Sequence, residues 1–517
     1  MAVRQAIKPR ALLQPLGCTS LRKPTLSPIL SRRHLGTKQN ASHNNPLFAC
    51  TWVTGTPHAI TPDDVLSSLP SPSQSLAESA HVPVLLVTPS FAQWIDTGSP
   101  FLEDCVNRLT QRASPQPVHA IVAIVDRLPD IRAQSCDEDT TESEGLSLMV
   151  VRAEDIQGKA SPPRRVRSME TEESALVFSF QDGLSRKDAP QHIHEIGLRL
   201  ANTIFVNGKE NTLVGSRWVY DSSSSRYTLD QSVDLSRCIV APSTSTVHNR
   251  LQLPLSPVSQ RRRVISSMGN ILRQLAKHTD STSTASMPAS TELEKELPRY
   301  IEENNIEDRR VSVWALVETP GQCASSEAGE NSLLQRIQAG GKLHRVMSGG
   351  GGWGKKQGLL SLDPEICFLE PTESSVLLDS LFSPIQSRSE HGRLPQYEQN
   401  MGINELSSLD QVAREGDYVQ FFVSIDPCEI RSAASASSGS QDAIACHFGV
   451  VLDAESPMPA ITTSGQKDLT VIPNTFGALS EKAIAYLQPV SASRESTTVE
   501  SSTKIDIPGA RVELVIE

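Results

Sequence analysis

Val82-Pro83-Val84-Leu85-Leu86-Val87 and Val118-His119-Ala120-Ile121-Val122-Ala123-Ile124-Val125 are short, rich in β-branched residues and bounded by turn residues. Apolar runs without alternation suit strands buried on both faces. Between them, Ser99 is placed to cap a helix, with Pro100 at its first position and Glu103 and Asp104 in its first turn. Phe101, Leu102, Cys105, Val106 and Leu109 then fall on one side at helical spacing. Strand, helical crossover, strand implies a parallel pair. The fold class expected is therefore α/β or α+β: a mixed, largely parallel N-terminal sheet with helices, a second α+β part, and several disordered inserts.

Phe48–Val53, Leu146–Val151 and Ala175–Phe180 are further strand candidates. The polar stretches 130–144 and 158–174 are expected as inserts, and 195–222 as a helix followed by an extended segment with Asn207-Gly208 as a turn. From Val258, the run Arg261, Arg262, Arg263 leads into Val264, Met268, Ile271, Leu272 and Leu275 at three- and four-residue spacing, which predicts a basic helix. A second helix is expected from Thr291, with Glu294 completing a capping box and Pro298 shortening or kinking it. Val311–Val317, Tyr418–Val423, Cys446–Leu452 and Arg511–Ile516 are strand candidates, while 279–290, 431–442 and 490–504 are Ser-rich and expected as flexible connections. The domains expected are 47–257 (α/β), 258–310 (basic helical segment and linker) and 311–517 (α+β, carrying the glycine-rich loop 348–358).

That loop, Ser348-Gly349-Gly350-Gly351-Gly352-Trp353-Gly354-Lys355-Lys356-Gln357-Gly358, is the most distinctive segment. Consecutive glycines can turn successive amides toward an anion, and two lysines add charge suited to phosphate or carboxylate. Gly349 through Lys355 matches G-x-x-x-x-G-K, but Lys356 stands where a magnesium-holding Ser or Thr belongs, and Asp363-Pro364 leaves no room for the long helix of a phosphate-binding loop. The anion-site candidates are Gly349, Gly350, Gly351, Gly352, Trp353, Gly354, Lys355 and Lys356; the plainer alternative is a glycine turn with Trp353 packed and the lysines solvated.

Arg261, Arg262, Arg263, Arg273 and Lys277 form the clearest basic face, suited to an acidic partner, an anionic lipid surface or RNA; the plainer alternative is a solvated face. His192, His194 and Glu195 offer donors but no third ligand, so no metal site is assigned. Cys446 and His447 on one strand point to opposite faces and do not form a nucleophile–base pair. Nine cysteines without a C-x-x-C motif read as free thiols. No G-x-S-x-G, H-E-x-x-H or early G-x-G-x-x-G motif is present, no catalytic residue is identified, and the sequence indicates no cofactor.

The first acidic residue is Asp63; before it stand Arg4, Lys8, Arg10, Arg22, Lys23, Arg32, Arg33 and Lys38. This is transit-peptide composition, and the inner-membrane potential pulls such a segment inward at roughly 2.3 kcal/mol per charge per 100 mV. Residues 1–35 are expected as a mitochondrial presequence, with Arg33 placed for cleavage near Leu35. Removing them takes the net charge from −11 to −18, so nucleic-acid contact would need a local patch. No apolar run of membrane-spanning length occurs. The expectation is a soluble, acidic mitochondrial matrix protein, leaning away from an enzyme. Its role is that of a binding or assembly factor supporting respiratory-complex biogenesis or mitochondrial gene expression, with protein partners in the matrix and RNA as the weaker one. The alternative is an enzyme or small-molecule sensor binding an anionic ligand at Ser348–Gly358.

Overall fold

The computed structural model describes residues 48–69, 81–96, 98–110, 116–130, 142–162, 174–182, 193–209, 211–244, 247–278, 285–304, 306, 311–320, 331–349, 358–365, 375–383, 411–424, 443–452, 468–489 and 500–516. In chain order the strands begin with β1 (Phe48–Thr54), β2 (His81–Val87), β3 (Val118–Ile124), β4 (Leu128–Pro129), β5 (Glu142–Arg152), β6 (Ile156–Ala160), β7 (Ala175–Asp182), β8 (Ile193–Arg199) and β9 (Leu213–Asp221). Next come β10 (Arg226–Val240), β11 (Ser243–Thr244), β12 (Val247–Gln252), β13 (Leu255–Pro257), β14 (Arg262–Met268), β15 (Ile271–Ala276), β16 (Ser286–Pro288), β17 (Val313–Glu318) and β18 (Lys342–Gly349). The last are β19 (Leu360–Leu362), β20 (Val376–Leu377), β21 (Tyr418–Ser424), β22 (Ile444–Val450), β23 (Leu469–Pro473), β24 (Thr475–Ser480), β25 (Ile484–Pro489), β26 (Glu500–Ile505) and β27 (Arg511–Ile516). The α-helices are α1 (Pro62–Ser68), α2 (Pro100–Leu109), α3 (Ile204–Asn207), α4 (Ala289–Glu303), α5 (Asn331–Gln338) and α6 (Leu378–Phe382).

One extended sheet runs β23-β1-β5-β2-β3-β9-β10-β7-β8-β25-β26. The long β10 makes it continuous, since its first half pairs with β9 and its second with β6 and β7. A four-stranded sheet has the order β12-β27-β22-β24. The strands β21-β14-β15-β19-β18-β17 close into a six-stranded barrel, because β17 pairs back with β21.

As α2 implies, β2 and β3 run parallel. Their alternate side chains feed two cores: Val84, Leu86, Ile121 and Ala123 into one, Leu85, Val87, Val122 and Ile124 into the other. The second core is covered by α1 and α2 through Val65, Leu66, Phe101, Leu102, Cys105 and Val106. The sheet as a whole is mixed, not largely parallel. β5 is antiparallel to both β1 and β2, and β9 is antiparallel to β3. An apolar run reports burial on two faces and carries no information on direction; the largely apolar half of β5, Leu146–Val151, is equally buried and runs antiparallel to β2.

Other expectations need correcting. The basic helix expected over 258–277 is the hairpin β14–β15, turning at Gly269 (φ +59°) and Asn270. Val264, Leu272 and Leu275 point into the barrel while Met268 is exposed, so the apparent helical spacing came from two strands read as one. Residues 195–222 hold β8, the single-turn α3 and β9, with Gly208 at φ +71° ending that turn as a glycine can. α4 begins at Ala289, bonds Ser290 Oγ to Glu294 at 2.8 Å, and runs through Pro298 to Glu303. Parts of the expected inserts are structured: 142–144 extend β5, 158–160 belong to β6, 286–288 form β16 and 500–504 lie in β26.

Hydrogen bonding crosses the boundary expected at 257. β23 pairs with β1, β25 with β8 and β27 with β12, so the last fifty residues complete the first sheet and its partner. Polar composition marks where the chain is interrupted, not which strands pair. The return is sealed by a dry relay in which Gly477 N–H donates to Ser147 Oγ (3.2 Å), Ser147 Oγ–H to Thr51 Oγ1 (2.8 Å) and Thr51 Oγ1–H to the Thr475 carbonyl (2.8 Å). With one proton per hydroxyl, that order is the one that satisfies every member. A Cβ on Gly477 would stand 2.0 Å from the His447 carbonyl oxygen, whereas one on Gly98 meets nothing within 4 Å. Gly477→Ala is therefore expected to lower stability by about 2–3 kcal/mol, and Gly98→Ala to change it by less than about 0.5 kcal/mol, both read by denaturant titration. Equal effects would contradict this packing.

Candidate functional site

Of the glycine-loop candidates, Gly349 ends β18 opposite Leu360; Gly350, Gly351, Gly352, Trp353, Gly354, Lys355 and Lys356 lie outside the described residues. On the far side, the Gly358 carbonyl accepts from Ser290 N–H at 3.2 Å, at the start of α4. Gly349 and Gly358 thus stand at the ends of the paired strands β18 and β19.

The helix expected to carry the basic face is not formed, and two of its arginines are drawn onto carboxylates. Arg261 Nε donates to Glu318 Oε2 (2.8 Å) with its guanidinium 4.0 Å from the Tyr418 ring centroid. Arg336 grips the same carboxylate from α5 through Nε (3.0 Å) and Nη2 (2.6 Å). Burial alone would raise the Glu318 carboxyl, but the bonds and charges of Arg336 and Arg261 outweigh it and hold the group below its ordinary range. Arg262 Nε lies 2.8 Å from Glu292 on α4, Arg263 is half-buried, and Arg273 on β15 and Lys277 just past it are exposed. Arg261 and Arg262 are spent on closing the barrel.

The other sequence candidates are also structural in placement. His194 is buried on β8, 3.1 Å from Asn249, which also donates to the Tyr486 hydroxyl at 3.2 Å. His192 lies outside the described residues, and among those described no group of three or more His, Cys, Asp or Glu is arranged to hold a metal. Cys446 is buried, and burial pushes its thiol up; it pushes Cys50, Cys105 and Cys238 up to about 12, so none of the four is a ready nucleophile.

Instead, polar groups, several of them buried, gather at the carboxyl ends of β2 and β3, where ligands bind in open α/β sheets. Thr88, just past β2, exchanges hydrogen bonds with Gly145: its N–H donates to the Gly145 carbonyl (3.1 Å) and its Oγ1 accepts from the Gly145 N–H (2.9 Å). Asp126, just past β3, is 7% exposed and accepts the Glu481 N–H at 2.8 Å. Arg127 pairs with Glu144, whose second oxygen, Oε2, is buried with no hydrogen-bond partner. Glu142 accepts from Arg511 (2.7 Å) and the Leu452 N–H (2.8 Å). Burial is the main cause that raises Asp126 to about 6; the Glu481 charge adds to it, and the Glu481 N–H, Lys482 and Arg127 oppose it. A carboxyl poised there can exchange a proton near neutrality.

The same edge carries an apolar knob. Ala201 N–H donates to the Ile124 carbonyl (3.0 Å) and Ile124 N–H to the Thr212 carbonyl (2.9 Å), so residues 201–209 leave the end of β3 and 211–212 return to it. At their tip Phe205 is fully exposed, flanked by Ile204 at 37% and Val206 at 49%. The backbone beneath is pinned: Val206 and Asn207 N–H donate to the Thr203 carbonyl, Gly208 N–H to that of Ile204, and Ile204 N–H to Asn202 Oδ1. Lys209 anchors the turn to Asp96 at 2.6 Å. The sequence held one signal for the first group, an acid and a base directly after a buried apolar run. The knob had none, because Ile204-Phe205-Val206 reads as core.

In class, the molecule is a mixed sheet with helices packed on both faces, joined to a closed six-stranded barrel. No protein-family model matches the chain, and no curated protein or solved structure is significantly similar to it. Among the described residues, no helix is long and apolar enough to cross a membrane.

Asp126 supplies a pH test. Its folded pKa, about 6, lies above the ordinary 3.8, so its stabilisation is fully present below that ordinary value and lost as pH rises through 6. Asp126→Asn keeps an acceptor for Glu481 and removes the charge. Relative to the parent, it is expected to gain up to about 2–3 kcal/mol as pH rises from 4 to 7, read from melting curves at each pH. Parallel parent and variant profiles would contradict the buried, titrating carboxyl.

Proposed function

We propose that this chain is a non-catalytic binding or assembly factor of the mitochondrial matrix, supporting respiratory-complex biogenesis or mitochondrial gene expression, and that it grips a protein partner with the Ile204-Phe205-Val206 knob. The location rests on the acid-free, basic segment before Asp63. The mode of action rests on one observation: Phe205 is wholly exposed on a turn whose backbone is already fixed. A rigid aromatic anchor loses little conformational entropy on docking, which is what binding hot spots exploit.

The alternative, an enzyme or sensor for an anionic ligand at Ser348–Gly358, draws support from Gly358, whose carbonyl accepts the Ser290 N–H at the start of α4. A helix N-terminus favours anions. Asp126 would be a second place to look for chemistry, since its carboxyl is tuned toward neutral pH.

The test imports the full chain, carrying a photoreactive phenylalanine at position 205, into isolated energised mitochondria. The expected result is a shortened, protease-protected product that crosslinks to discrete matrix proteins. Phe205→Asp is expected to leave the melting temperature unchanged, because the ring buries nothing in the isolated chain, and to abolish co-purification of those same proteins. A product that stays outside, unshortened, removes the location. A protected product without discrete crosslinks removes the knob as the contact.

A further inference from the structure

The sheet face formed by β3, β6, β9 and β10 holds a short piece of the chain as a groove holds a peptide. Val376 and Leu377 pair with Gly158 and Gln157 of β6, and α6 then lies across the strands. Leu378 and Phe382 are buried and Leu381 partly so, an i, i+3, i+4 set of anchors. Residues 366–374 and 384–410, on either side, lie outside the described residues.

The groove is shaped for these anchors. A Cβ on Gly158 would stand 2.8 Å from Leu381 Cδ1, and one on Gly215 would stand 3.6 Å from Phe382 Cζ. The buried His119 ring stacks on Phe382 with centroids 5.1 Å apart, and its Nδ1 lies 3.5 Å from Asp379. Arg217, held by Asp230 at 2.6 Å, donates through Nη1 to the Phe382 carbonyl at 2.8 Å, closing the last turn of the helix. Apolar pockets, a ring stack, an acid beside a histidine and a carbonyl clamp together specify a sequence, not merely a greasy surface.

The bound piece is slight. A five-residue helix is far below the length that is stable alone, so α6 is helical because it is docked. Burial of three side chains and ordering of the segment are opposing terms of similar size, which leaves occupancy to depend on the covalent tether. We propose that this face is a docking groove for a helical protein segment of pattern Leu-x-x-Leu-Phe, preferably with an acid after the first leucine, and that residues 376–382 occupy it in cis until such a segment from a partner protein displaces them. This surface is separate from the Phe205 knob and stands without it.

The experiment uses the full chain and a fluorescent peptide of residues 375–383. In the variant Leu378→Asp, Phe382→Ser the groove is emptied. The expected result is saturable peptide binding at least about tenfold tighter than to the parent, and a comparable loss when the peptide carries Phe382→Ala. A variant that melts cooperatively yet binds the peptide no better than the parent overturns the proposal. Should the variant fail to fold, the parent is exposed to the peptide with a photoreactive group replacing Phe382. Labelling of the β3 and β9 segments bearing His119 and Arg217, competed by unlabelled peptide, supports the groove, and its absence there overturns it.

Discussion

Burial of the β2–β3 pair on both faces is the constraint from which the rest of the molecule follows. Val84 and Leu86 look into one core, Leu85 and Val87 into the other, and the same division holds along β3. A strand covered on both sides offers solvent nothing but its ends. The chain past those ends carries the buried polar groups Thr88 and Asp126 and the exposed Phe205. The local helices α1 and α2 cover the face of Leu85 and Val87, but the face of Val84 and Leu86 takes a layer from the far end of the chain, where β22, β24 and β27 supply Phe448, Phe476, Val512 and Leu514.

Distant segments are joined by charge as much as by apolar contact. Glu318 on β17 is held by Arg261, just before β14, and by Arg336 on α5. Lys504 on β26 reaches Asp363 and Glu365 just past β19, and Glu365 also meets Arg199 at the end of β8. Beside them, burial lowers His344 to about 4, and its Nδ1 faces the Asp363 carbonyl at 2.8 Å. Such pairs add little net stability compared with apolar packing, but losing one partner leaves a buried charge uncompensated. They work as registration pins: barrel and sheet meet in one arrangement because the other arrangements strand a charge.

Much of the strand set was legible. Continuous or alternating apolar runs named the cores of β1, β2, β3, β5, β7, β17, β21, β22 and β27, and the Ser99-Pro100 pair placed the start of α2. What failed did so for identifiable reasons. Hairpins of short strands mimic helical spacing, as Val264 and Leu275 did. Ser- and Thr-rich stretches can still be strands when a neighbour takes their backbone bonds, as β26 shows. Pairing between residues four hundred positions apart, such as Thr51 with Thr475, has no local signature. The arginine run looked like a surface because Glu318 and Glu292, its partners, are far away in sequence. Exposure at Phe205 is a property of the assembled loop and could not be read from three apolar letters.

Hydrogen–deuterium exchange on the intact chain, resolved by peptide, measures the two-sided burial most directly. Amides of Val84–Val87 and Ile121–Ile124 should exchange last, at the rate set by global unfolding, with the surface segments 201–212 and 375–383 exchanging well before them. Early exchange in β3, at the pace of those segments, would mean that one of its faces is open, and the reason for a functional edge at its carboxyl end would be gone.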